Sequence, residues 1–281
     1  MDTYYVDGEF VSDQAATVSV KDIIVLRGYG VFDFMITYNH RPFRLKQHVQ
    51  RLESSARQIG LALRHSTDEI CAIVEETVQK NSHHEESNIR IVCTGGISSD
   101  GVTPEGNGIL MVMVTPKLEL PRWWYTKGAK IITVDIERFM PMVKSTNYLT
   151  AVYALGRAKK ENAIEAIYVD RSHRILEGTT SSFFFFKGDK LITPESDILP
   201  GVTRSVVLEL AKAQFDIEFR TIDRSELDAM DEVFISSSNK EVVPIVTVDA
   251  LTVGNGRPGG NTARVMQLFR EYTEAYGRGK M

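Results

Sequence analysis

The stretch "MPMVKSTNYLTAVY", residues 140–153, decides how the rest of the chain is read. Apolar residues lead into Lys144. Ser145, Thr146 and Asn147 follow, three good helix N-caps, and an apolar helical pattern starts behind them at Tyr148. The pattern predicts a helix over 148–160, closed by Lys159 and Lys160 with the charge that suits a helix C-terminus. Lys144 stands in the opposite relation to that dipole. A cation is disfavoured at the positive end, so the position and its apolar neighbours favour a neutral amine. A neutral amine is a nucleophile toward a carbonyl carbon. An ordinary lysine would run into solvent, and that reading yields only if the rest of the chain supplies partners for such chemistry.

An amine that holds a phosphorylated aldehyde needs a phosphate cradle and a carboxylate for the ring nitrogen. In "LPGVTRSVVLELA", residues 199–211, Pro200-Gly201 forces a turn, and Val202 and Thr203 fall where free N–H groups open a helix. Arg51 and the serine run 236–238 are further phosphate candidates. Glu177 lies in "ILEGTTSS", at a strand end and before a glycine that permits close backbone approach. The segment "GNGRPG", residues 254–259, matches a dinucleotide fingerprint, but the chain ends at Met281 without room for the second strand such a site requires. It reads as a tight turn feeding a last helix from Asn261.

The remaining pattern is mixed. "YYVDGEFVS" reads as two strands around an Asp-Gly turn, and "RGYGVFDFMITYNHRPFRL" as strands turning at Asn39-His40. Helices are expected over 46–60 and from an Asp68 cap to Lys80. Strands are expected at "NIRIVCTGG", "GILMVMVTP", "AKIITVDI", "EAIYVD", "RILEG" with the aromatic run behind it, and "EVFISSS". Strands outnumber helices, which predicts an α+β chain of two α/β domains. The proline-flanked "KLELPRW" is the natural linker, giving domains 1–115 and 124–281 joined by 116–123. Of 281 residues, 37 are acidic and 33 basic, a net charge of −4 that argues against nucleic-acid or membrane-surface binding. Cys71 and Cys93 share no metal-ligand spacing, no metal site is expected, and free thiols fit a reducing cytoplasm. No signal peptide and no membrane-length apolar run are visible.

"KSTNY", "ILEGTTSS" with its aromatic strand, "LPGVTR" and "EVFISSS", in this order and spacing, resemble the class IV, fold-type IV aminotransferases, which use pyridoxal 5′-phosphate (PLP). "RGYGVFDF" and "HVQRL" extend the resemblance over nearly the whole chain. It implies a D-amino-acid-aminotransferase-like fold with PLP between the domains, a homodimer, and an amino acid and a 2-oxo acid as substrates. Lys144 would form the internal aldimine and shuttle the proton, Tyr148 would bond the phenolic oxygen, and Glu177 would pair with the pyridine nitrogen. Arg51, Val202, Thr203, Ser237 and Ser238 would hold the phosphate. Phe32, Thr179 and Thr180 would face the substrate.

The departures concern substrate. Ser182 stands where many members have Asn, Phe32-Asp33 where branched-chain enzymes read Phe-Glu, and "VCTGGISSDG" lacks the Arg-x-His pair of better-known D-amino-acid enzymes. Arg27, at the Gly-rich segment, and Arg90, on one strand face with Val92 and Thr94, are then the expected clamp for the α-carboxylate. A D-amino-acid transaminase is the favoured reading. A branched-chain L-aminotransferase is second, ahead of an aminodeoxychorismate-lyase-like or amine-transaminase activity.

Overall fold

The computed structural model describes residues 1–280; Met281, the last residue of the expected second domain, lies outside the described residues. The chain divides into two compact units. The first comprises Met1–Leu118, Val143–Tyr148 and the residues from Glu274 onward, and the second Glu119–Met142 with Leu149–Thr273.

In the first unit the elements are β1 (Thr3–Val6), β2 (Glu9–Ser12), α1 (Ile23–Arg27), β3 (Gly30–Tyr38), β4 (Arg41–Pro42), α2 (Leu45–Gln58), α3 (Thr67–Lys80), β5 (Ser87–Thr94) and β6 (Leu110–Pro116). The strands form one sheet in the order β2-β1-β6-β5-β3-β4. Both predicted hairpins form for the expected reason. Asp7 and Gly8, and Asn39 and His40, all have positive φ, the requirement of a two-residue turn that matches strand twist. Alternation sorts the sheet faces: Val31, Met35, Ile89, Ile91, Val112 and Val114 are fully buried. Helix α2 buries Val49, Leu52 and Ala56, and α3 buries Ile70, Val74 and Val78, each set on one helical stripe. The cap of α3 is Ser66 and not Asp68. Ser66 and Glu69 bond each other's backbone N–H in a capping box, so the helix starts earlier than expected and Asp68 serves in its first turn.

The second unit holds α4 (Trp123–Thr126), β7 (Ala129–Asp135), α5 (Leu149–Lys160), β8 (Glu165–Val169), β9 (Arg174–Gly178), β10 (Ser182–Lys187), β11 (Lys190–Thr193), α6 (Val202–Ala211), β12 (Asp216–Phe219), β13 (Ile222–Asp223), a 3₁₀ turn (Arg224–Ala229), β14 (Glu232–Ser237), β15 (Glu241–Val248), β16 (Leu251–Thr252) and α7 (Gly260–Gly277), whose last turn is counted with the first unit. Ten strands form a mixed sheet, β12-β11-β10-β14-β15-β7-β8-β9-β13, with β16 on β15. One apolar cluster includes Ile131, Ile167, Phe183, Phe185, Ile235 and Ile245, and a second includes Ile132, Val134, Ala154, Ala158 and Tyr168. Strand β15 is not among the expected elements, and it carries Pro244, a residue rare in central strands. Pro244 sits one residue before Ile245, where pairing with β7 begins, so its missing N–H interrupts no bond on that side. "GNGRPG" is a turn, with positive φ at Gly254 and Gly256, that leads into α7.

Candidate active site

Lys144 is held by a strand. The Phe32 N–H donates to the Lys144 carbonyl at 3.0 Å, Thr146 N–H donates to Gly30 at 2.9 Å, and Val31 faces Ser145 in an antiparallel bridge. The Thr146 hydroxyl adds a bond to the Gly28 carbonyl at 2.7 Å. "KST" and "RGYGVF" are therefore one local structure, the first laid along the start of β3. On the other side the Lys144 N–H donates to the fully buried Ser55 hydroxyl of α2 at 3.1 Å. The helical pattern begins only at Leu149, so Ser145 and Thr146 are not N-caps, and strand pairing replaces the helix-end account of this lysine.

The Lys144 Nζ lies 4.6 Å from the centroid of the buried Phe32 ring. Tyr148 meets the same ring edge-on at 5.4 Å. Arg90, exposed on β5, has its Cζ 5.6 Å from the Phe32 ring and 5.6 Å from Phe34, the residue opposite it in the register. One aromatic ring thus carries contacts to a lysine, a tyrosine and an arginine, and its face attracts the Arg90 guanidinium. Arg27 is not drawn into this group. It is exposed at the end of α1 and donates to its neighbour's carbonyl, Leu26, at 2.8 Å, sharing no partner with Arg90 among the described residues.

Arg51 reaches Asp33 in a fork: Nε to Oδ2 at 2.9 Å and Nη2 to Oδ1 at 2.8 Å. His48, one turn earlier on α2, meets Oδ1 through Nδ1 at 2.6 Å. Burial by itself would raise the Asp33 carboxyl, but Arg51 and His48 outweigh it and hold the group well below the usual carboxylate range. Burial lowers the His48 pKa against the pull of Asp33, and beside an ionised carboxylate its Nδ1 is the donor. Its Nε2 is buried without a hydrogen-bond partner among the described residues. Asp33, first met as a departure from a family pattern, is thus the anchor of Arg51.

In the second unit Glu177 is buried. Its Oε1 accepts from Arg138 Nη1 at 2.5 Å and its Oε2 from the Leu199 N–H at 3.0 Å. The Leu199 bond ties Glu177 to the "LPGVTR" turn. Gly178 leaves room beside it: a Cβ there would lie 2.3 Å from the Ser181 hydroxyl and would displace it. Arg138 escaped the sequence reading, because nothing local marks an arginine 39 positions away as a partner. At α6 the N-cap is Gly201, which has no side chain to accept the first-turn N–H groups. Val202 and the buried Thr203 open that turn, an arrangement suited to an anion. Ser237 ends β14 and meets Asn239 at 3.1 Å; Ser238 is half-buried beside it.

Thr179 and Thr180 turn inward. Both hydroxyls bond the fully buried carboxylate of Glu165, Thr180 at 2.6 Å, and Ser181 joins at 3.2 Å. Lys240, also buried, donates to the Thr180 hydroxyl at 2.6 Å and stands 3.4 Å from Glu165. Burial opposes ionisation of Glu165, yet Lys240 and the hydroxyls prevail and lower its pKa. Neither Glu165 nor Lys240 is marked by a local motif; the nearest signal is a lysine two residues after the serine run 236–238.

A family model described as amino-transferase class IV matches residues 30–248. The chain belongs to that family, whose cofactor is pyridoxal 5′-phosphate, and its fold is fold type IV. It is 31% identical to a putative branched-chain-amino-acid aminotransferase of Methanocaldococcus jannaschii, covering 97% of each chain. It is also 31% identical to a D-alanine aminotransferase of Listeria monocytogenes, covering 97% of this chain and 96% of that one. Among solved structures, the branched-chain amino acid aminotransferase of Escherichia coli superposes with a TM-score of 0.90 at 28% identity, over 96% of this chain and 94% of the other. A second branched-chain amino acid aminotransferase, from T.th. and solved with pyridoxamine 5′-phosphate, gives 0.91 at 26% identity, over 98% and 94%. The chain is an aminotransferase.

Proposed function

We propose that this aminotransferase moves an amino group between an amino acid and a 2-oxo acid, with D-amino acids preferred, and that Lys144 is its catalytic residue. The residues present fit PLP. The uncapped first turn of α6 offers N–H groups to a phosphate, and the buried carboxylate of Glu177 is the group a protonated ring nitrogen needs. When bound, the cofactor supplies an electron sink for the bonds of the substrate α-carbon. Val202, Thr203, Ser237 and Ser238 would hold the phosphate, and Arg51, kept in one orientation by Asp33, would be a further phosphate ligand. Glu177 would pair with the ring nitrogen and Tyr148 would bond the phenolic oxygen. Lys144 would hold the aldehyde end of the cofactor and move a proton at the substrate α-carbon.

The observation that supports the D preference is the shared ring: Lys144 and Arg90 both lie against Phe32. Either enantiomer turns its α-hydrogen toward Lys144 only if carboxylate and side chain exchange pockets. Fixed positive charge near Lys144 therefore selects the hand, and Arg90 supplies it on the Phe32 side. The experiment is the half-reaction with D-alanine, D-glutamate and L-leucine in wild type, Arg27→Ala and Arg90→Ala. D-substrates should react faster, and loss of Arg90 should lower kcat/KM for them by about 2 kcal/mol. The branched-chain L reading, favoured by the names of the structural neighbours, takes the case if L-leucine reacts faster and neither arginine matters.

The partner is a second copy of the chain. Leu149, Val152 and Tyr153 form an exposed apolar stripe on α5, and Val25 and Leu26 are exposed on α1, surfaces that call for cover. Both cysteines are unpaired, which suits the cytoplasm, and among the described residues no helix is long and apolar enough to cross a membrane.

A further inference from the structure

We propose that Asp2, His83 and His84 form a transition-metal site that clamps the N-terminal strand to the end of helix α3. The clamp has a built frame. Asn81, the buried C-cap of α3, accepts from the Thr3 N–H at 2.8 Å and donates back to the Thr3 carbonyl at 2.7 Å. That paired contact brings the residue before Thr3 against the two histidines that follow Asn81.

Three ligand atoms converge there, all within 4.8 Å of one another. The Asp2 Oδ1 lies 3.3 Å from His83 Nε2 and 3.0 Å from His84 Nε2. Ligands bound to one ion by bonds of roughly 2.0–2.1 Å are separated by about 3.0 Å at right angles and about 3.4 Å at the tetrahedral angle. A second observation points the same way. The His84 side chain is only 8% exposed, and its Nε2 is buried with no hydrogen-bond partner among the described residues, although a carboxylate oxygen is 3.0 Å away. His83 Nε2 is within hydrogen-bond distance of the same Asp2 oxygen, whereas the buried His84 Nε2 makes no such bond and can serve as a ligand. Two imidazoles with one carboxylate select Zn²⁺, Ni²⁺ or Co²⁺ over Mg²⁺ and Ca²⁺, with water completing the coordination. His83 is half exposed, which gives the ion its path in. The ordinary alternative is a solvated acid–imidazole pair, which binds no metal.

The test is calorimetric titration of the PLP-loaded full chain with Zn²⁺, Ni²⁺, Co²⁺ and, as control, Mg²⁺, in a buffer free of phosphate and imidazole. One equivalent of a transition metal should bind and raise the thermal transition, while Mg²⁺ does neither. His83→Gln and His84→Gln should each weaken binding by roughly tenfold or more, with PLP absorbance and the metal-free transition unchanged. Because the cofactor itself binds metals, the double variant sets the background. If His84→Gln does not fold, the more exposed His83→Gln and Asp2→Asn carry the test. Absence of a one-equivalent event in wild type, or equal affinity in the variants, overturns the proposal.

Discussion

Asp33 and Glu165 are both fully buried carboxylates, one in each unit, and they are satisfied in different ways. Asp33 is met by a guanidinium fork and an imidazole, both from α2 at positions three apart. Glu165 is met by one lysine and by three hydroxyls from the turn that follows the Glu177–Gly178 strand end. The first carboxylate fixes a charged side chain. The second fixes a stretch of backbone, Thr179–Ser181, and with it the strand end that carries Glu177. A buried charge can thus orient either a functional head group or the loop that bears one, and the partners tell which.

The comparison breaks most readily at Asp33. Asn there removes the counter-charge of the buried Arg51 fork, so Asp33→Asn should cost about 3–5 kcal/mol in urea unfolding and weaken PLP retention as Arg51 loses its orientation. A loss under about 1 kcal/mol would mean that the fork does not form. Glu165→Gln should cost less, about 1–3 kcal/mol, because an amide oxygen still accepts from the threonines, while Lys240 loses its counter-charge. Its signature is kinetic: kcat should fall more than PLP affinity, since the turn behind Glu177 is loosened and the phosphate cradle is not. Equal losses in both would erase the distinction between the two carboxylates.

Acid gives the smallest and most general effect. Both carboxyls have folded-state pKa values below their ordinary ones, so each contributes stability that is complete above about pH 5 and is lost as the pH falls through the folded values. Unfolding free energy should decline steadily below about pH 5 in wild type. The slope should flatten in Asp33→Asn and in Glu165→Gln. An unchanged slope in either variant would mean that its carboxyl is not depressed.

Sequence alone determined what short-range physics controls. Asp7-Gly8 and Asn39-His40 form their turns because only positive φ closes a two-residue hairpin, and α2 and α3 follow their apolar stripes. The ordered motifs around Lys144, Glu177 and Val202 also sufficed to reach the family, because each is a few contiguous residues. Only the tertiary structure decided what surrounds those residues. Lys144 reads locally as a helix-end lysine, yet the β3 strand and Ser55, 89 positions away, hold it. Arg138 finds Glu177 across 39 positions and Lys240 finds Glu165 across 75. Propensity and periodicity act over a turn or a strand and carry no information about such pairs. Burial supplies it, because a charge removed from water must meet a partner, and only the packed sheets determine which residue that partner is.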